Sequence, residues 1–182
     1  VTVVIASRRY RRLLTELERR GRGKREAGAF LLANARGTSV GDSPAVVVDV
    51  AYYDDLDPNS LTGGITFGAD GYTALGALCG SAKLVAVADI HTHPSRFVQQ
   101  STIDATNPMV AIAGHVAVIV PNYAIGTITP TDLGVHEFLG AGAWRSTYGD
   151  DAARVFVITR MPVALRLLVA RLRDFFERGP HV

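Results

Sequence analysis

The run Leu84-Val85-Ala86-Val87-Ala88-Asp89-Ile90-His91-Thr92-His93, stopped by Pro94, constrains this chain more than any other feature. A continuous apolar run of this length reads as a strand buried on both faces, which needs covering layers above and below it. Pro94 cannot donate to a ladder, so the strand ends there and opens into a loop. His91 and His93 stand two residues apart and therefore share one face, roughly 6–7 Å from each other along the strand. Two imidazoles so placed can converge on one ion at about 2.0–2.1 Å.

The surrounding elements follow from periodicity and punctuation. Val3–Ile5 is a short apolar strand leading to Ser7, an expected helix N-cap. The helix that follows carries Tyr10, Leu13, Leu14 and Leu17 at helical spacing and stops at Gly21. Gly28–Ala33 and Ala45–Tyr53 read as strands, and Asp54–Gly64 as an exposed loop. Asp70 is expected to cap a helix running to about Ala82, before the strand Leu84–His93. A short helix after Ser101 and strands at His115–Val120 and Val155–Thr159 follow, and Pro162 opens a final helix. Strands interleaved with helices place the chain in the α/β (α+β) class.

At 182 residues the chain suits one domain, with residues 1–150 as its body. Residues 151–182 are expected to form a strand and an amphipathic helix packed on that body; docking of a second copy through this helix, a homodimer, is the alternative. The net charge is only +2, and no basic stripe is interleaved with aromatics, so nucleic acid is not an expected partner. The Arg8, Arg9, Arg11 and Arg12 cluster reads as the solvated face of the first helix. The single cysteine, Cys79, excludes an internal disulfide and a Cys-rich zinc framework, in keeping with a reducing cytosol. Val1–Ala6 is too short for a signal core, and its arginines follow instead of preceding it. The stretch from Pro108 to Gly126 is interrupted by His115, Pro121 and Asn122 and does not read as a membrane span. A soluble, cytoplasmic protein is expected.

Beyond the histidines lies Ser101-Thr102-Ile103-Asp104, whose first and last residues share a face of one helical turn. The two histidines at a strand end and the aspartate on the next helix can close on one site. Three protein ligands with a fourth tetrahedral position left open describe a catalytic zinc, not a structural one. Asp89 shares the face of both histidines, so it is a candidate acceptor for the outer N–H of a ligand imidazole. His115, His136 and His181 lack ligand spacing and read as structural.

His91-Thr92-His93-Pro94, then Ser101-x-x-Asp104, preceded by Arg25-Glu26-Ala27-Gly28 and an apolar run, resembles the JAMM/MPN metalloproteases. Their motif is an upstream Glu, then H-x-H-P, a short loop and S-x-x-D. The resemblance runs from residue 3 to about residue 140. It implies a cytidine-deaminase-like mixed β-sheet flanked by helices, with Zn2+ on His91, His93 and Asp104. It further implies Glu26 as general base and acid, and Ser101 as a group that helps stabilise the oxyanion.

The compact chain looks like the bacterial stand-alone branch. That implies a deubiquitinase-like peptidase or isopeptidase acting at the C-terminal tail of a ubiquitin-like protein or its conjugate, or on a sulfur carrier. Such a tail would add as a strand beside the site, with its small residues passing a narrow channel. The segments Asp54–Gly64 and Pro121–Leu133 lie where relatives contact the ubiquitin-like body. A catalytically silent MPN scaffold is the alternative role, although such scaffolds typically lack the ligand set. The D-x-H-x-H pattern from Asp89 to His93 also resembles amidohydrolase barrels. Those need about 250 residues with the motif on the first strand, which this chain does not offer.

Overall fold

The computed structural model describes residues 1–62 and 64–160. Strand β1 (Val3–Ala6) runs directly into helix α1 (Ser7–Gly21), and β2 (Gly28–Asn34), β3 (Ala45–Val46) and β4 (Asp49–Tyr52) follow. Helices α2 (Tyr53–Leu56) and α3 (Ala69–Ala82) precede β5 (Leu84–Thr92) and the short α4 (Thr102–Thr106). The described chain closes with β6 (Val116–Val120), β7 (Gly134–Gly140), β8 (Ala143–Thr147), α5 (Gly149–Val155) and β9 (Phe156–Thr159).

The long apolar run lies in the interior of a six-stranded sheet ordered β4-β2-β5-β6-β7-β8. The β5–β6 pair is parallel, and every other neighbouring pair in this sheet is antiparallel. A second, parallel sheet has the order β3-β1-β9. The architecture is therefore α+β: a mixed sheet flanked by helices. Every residue of β6 and the first six of β2 are buried, as expected of strands covered on both faces. Helix α1 buries Tyr10, Leu13 and Leu17, and Tyr10 meets Phe156 of β9 with ring centroids 5.9 Å apart. Each such leucine contributes about 1.5–3 kcal/mol by leaving water. No helix among the described residues is long and apolar enough to cross a membrane.

Local chemistry shifts several expected boundaries. Ala6, not Ser7, is the N-cap residue of α1, and Gly68, not Asp70, occupies that position in α3. Asp70 sits in the first turn of α3, where its charge suits the helix dipole. Ala45–Tyr53 is not one strand. Val47 donates its N–H to Val4 and Val48 donates to Leu32, so the chain crosses here from one sheet to the other. Asp54–Gly64 is not wholly an exposed loop, because α2 occupies its start and Ser60 and Leu61 are buried. The hairpin β7–β8 has no strong apolar run and is absent from the periodicity reading. Its inner residues Val135 and Phe138 are buried, while β8 is largely exposed. The helix expected after Pro162 lies outside the described residues.

Arg8, Arg11 and Arg12 are exposed as expected, but Arg20 is not a free surface charge. Its guanidinium pairs with Asp54 and Asp55 and lies 4.1 Å from the Tyr52 ring centroid, tying the end of α1 to the start of α2.

Gly28 explains how the site face is closed. It pairs with His91, and a Cβ at this position would run into the Tyr53 ring and lie 2.9 Å from the Ile90 carbonyl oxygen. The bare Cα lets the edge of the Tyr53 ring close on β2, with its centroid 5.0 Å from that of Phe30. Gly28→Ala is expected to lower stability by about 1–3 kcal/mol through overpacking, read as a reduced urea midpoint.

Candidate metal centre

The antiparallel register of β2 on β5 builds the first part of the site. Gly28 faces His91, Thr92 donates its N–H to the Ala27 carbonyl, and Ala27 donates its N–H to the Thr92 hydroxyl. The half-buried Glu26, one residue further, is carried to the end of β5 where the histidines lie. Its carboxylate acts on the His91 imidazole through space.

Helix α4 supplies the third group. Ser101 caps it: the Ser101 hydroxyl accepts from the Asp104 N–H at 3.2 Å, and the Asp104 carboxylate accepts from the Ser101 N–H at 2.7 Å. This reciprocal box fixes the Asp104 side chain at the helix N-terminus and turns it toward β5.

The three expected ligands meet there. His91 Nε2 and His93 Nε2 are 3.2 Å apart, and the Asp104 carboxylate oxygens lie 3.6 Å from His91 Nε2 and 3.4 Å from His93 Nε2. Tetrahedral ligand atoms at 2.0–2.1 Å from one ion stand about 3.3–3.4 Å from each other. The donor triangle, with a different carboxylate oxygen toward each histidine, comes near the dimensions of a metal site, and these three residues form a group able to hold an ion.

The surroundings set the imidazoles in the correct sense. His93 Nδ1 donates to the Phe97 carbonyl at 3.1 Å, which leaves the Nε2 lone pair facing the triangle. Asp89 lies behind His91, 3.9 Å from its Nδ1, a distance of charge attraction longer than a direct hydrogen bond. The Asp89 carboxylate is buried and accepts from His115 Nε2 at 2.8 Å and from the Tyr53 hydroxyl at 3.2 Å. Burial alone would raise its pKa, but the His115 hydrogen bond and the nearby His91 outweigh it and lower it overall. Burial likewise works against a charged His91, yet Asp89, then Asp104 and Glu26, raise its pKa overall. Asp104 is held well below the usual carboxylate range: burial opposes this, and the adjoining His93 and His91 with the bonds from Ser101 prevail.

Two features of this centre left no clear mark in the sequence. His115 is not a bystander at a strand start; it orients Asp89. His136, on β7, clamps the loop that follows the histidines, its Nε2 donating to the Val98 carbonyl at 3.0 Å and its Nδ1 accepting from Ser146 at 2.8 Å. Gly134 makes room for this contact, since a Cβ there would collide with Val98 and lie 2.9 Å from His136 Nε2. The end of β5 is pinned from the other side by a turn in which Asn122, Tyr123 and Ala124 all have left-handed φ. The Tyr123 N–H bonds the His93 carbonyl, and the Asn122 N–H bonds that of Ser95. Each such non-glycine residue costs about 1–2 kcal/mol, so these bonds maintain a strained turn beside the ligands.

A cavity of about 640 Å3 adjoins the triangle, with His91 and Asp104 in one wall and Phe67, Tyr72, Met109 and Trp144 around it.

No family model matches the chain. Its fold is similar to the solution structure of protein DSY2949 from Desulfitobacterium hafniense. The two agree with a TM-score of 0.60 over 88% of this chain and 94% of that one, at 12% sequence identity. At that identity the likeness concerns the fold alone.

Burial holds the His136 pKa below its ordinary value of 6.5, against the pull of the Val98 carbonyl. The folded value lies below the unfolded one, so the neutral ring stabilises the fold above about pH 6.5, and that contribution is lost as pH falls through the folded value. His136→Gln keeps a donor for Val98. The drop in urea midpoint from about pH 7.5 to about pH 5 is expected to be smaller in that variant than in the parent.

Proposed function

We propose that the chain is a zinc-dependent peptidase of JAMM/MPN type, with Zn2+ held by His91, His93 and Asp104. The observation that carries this reading is the donor triangle, two imidazole nitrogens 3.2 Å apart with one oxygen of the Asp104 carboxylate toward each. Three protein ligands suit an ion with one position left for exchange. A zinc ion bound there supplies Lewis acidity, making a water acidic near pH ~7 and polarising a carbonyl.

The chain's own groups do the rest. Glu26, next to Ala27 whose N–H bonds Thr92 at the end of β5, would accept a proton from the attacking water and return it to the departing amine. The capping box holds the Asp104 carboxylate toward the two imidazoles, where it would serve as the third ligand. Ser101 Oγ, which accepts from the Asp104 N–H at the start of α4, would offer its own proton to an oxyanion. His93, held through its Nδ1 by the Phe97 carbonyl, keeps one tautomer and one orientation. The substrate under this reading is a peptide or isopeptide bond, with the extended tail of a ubiquitin-like protein as the expected class.

Two outcomes test the reading. Purified protein is expected to bind one equivalent of zinc by elemental analysis, and Asp104→Ala to lose at least about 100-fold in affinity, beyond what outer groups contribute. Glu26→Gln is expected to keep the zinc and lose peptide turnover by at least about 100-fold. Undiminished turnover in Glu26→Gln would remove the proposed base. Absence of stoichiometric zinc would favour a silent scaffold on the same fold.

A further inference from the structure

We infer that the cavity beside the metal triangle is a specificity pocket for a bulky, uncharged apolar side chain on a residue flanking the scissile bond. The inference rests on the peptidase reading above and departs from the expectation of a narrow channel for small tail residues.

Position comes first. The cavity shares His91 and Asp104 with the triangle, so a side chain entering it belongs to a residue next to the reacting carbonyl. Size follows: about 640 Å3 lies in the range of sites that enclose whole small ligands, far more than glycine residues would fill.

The walls are preformed. Trp144 donates its indole N–H to the Ala105 carbonyl at 2.9 Å and meets Phe138 edge-on at 4.9 Å, which fixes its ring against the helix bearing Asp104. Opposite it, the Tyr72 hydroxyl donates to the Met109 carbonyl at 2.9 Å, joining α3 to the segment after α4. Phe67 packs perpendicular to Tyr72 at 4.8 Å and continues inward to Tyr53 and Phe30. At the rim Ile103, one residue before Asp104, is 70% exposed.

Charge selects against the alternatives. Among the described residues no Lys or Arg lines the cavity, and its carboxylates there are Asp89 and Asp104. An anionic side chain would meet both. A cationic one finds them already engaged, Asp89 by His115 and Tyr53, and Asp104 by Ser101 and the imidazoles. Leaving water for such occupied partners costs a cation more than it returns. An aromatic or branched aliphatic side chain meets none of these costs.

The test uses the zinc-loaded full chain and peptides in which one residue on either side of the cleaved bond is Gly, Ala, Leu, Phe, Lys or Glu. On one side, Phe or Leu is expected to raise kcat/KM over Gly by about 10- to 100-fold. Ala111→Trp, at an exposed wall position, is expected to reduce that ratio by about 10-fold. Turnover with Gly or Lys preferred on both sides would overturn the pocket assignment and leave the peptidase reading intact. If no peptide is cleaved, the peptidase reading is what fails. The pocket is then judged by binding of N-acetylphenylalanine amide to the same protein. A shift of the Trp144 indole resonance that is weakened in Ala111→Trp supports it, and no shift at millimolar probe overturns it.

Discussion

The register of β2 against β5 is the constraint on which the rest of the centre depends. Pairing Gly28 with His91 sets Glu26 at the end of the histidine strand and puts a residue without a side chain where Tyr53 must lie. A slip by one residue would turn His91 and His93 to the opposite face and carry Asp89 with them. The register is specified by particular fits: a slip would put Ala27 or Ala29, each with a Cβ, where Gly28 leaves room for Tyr53, and would take Asp89 from Tyr53 and His115.

Asp89 shows the cost of placing a charge in that sheet. A buried carboxylate is tolerated when it is hydrogen-bonded and close to positive partners. Here Tyr53, His115 and the nearby His91 serve that purpose, and each comes from a different element. Tyr53 reaches Asp89 because Gly28 leaves space, and His115 reaches it because β6 runs parallel beside β5. The network thereby couples the orientation of one candidate ligand to packing on both neighbouring strands.

The loop from Pro94 to Gln100 has no regular ladder, yet it must hold one histidine and deliver the capping box of α4. It is fastened at three points: the Phe97 carbonyl to His93, the Val98 carbonyl to His136, and the Ser95 carbonyl to Asn122. The same body frames the cavity, since Trp144 of the β7–β8 hairpin bonds the backbone of α4. The centre is thus built on strand ends and anchored loops, which is how a side-chain constellation retains its spacing.

By itself the sequence determined the mixed α+β class, the buried strand, and His91, His93 and Asp104 as one group, because these depend on local periodicity and short spacing. Ser101 was legible as well, since a capping box spans only three residues. What tertiary structure alone decided involves partners far apart in the chain. The crossing of 45–53 between two sheets depends on Val4 and Leu32. The hairpin β7–β8 carries a weak pattern because its outer strand faces solvent. The roles of His115, His136 and Trp144, the last of which lines the cavity, arise from contacts across 26 to 39 residues. No local pattern records such contacts, because the chain must be folded before those side chains share a neighbour.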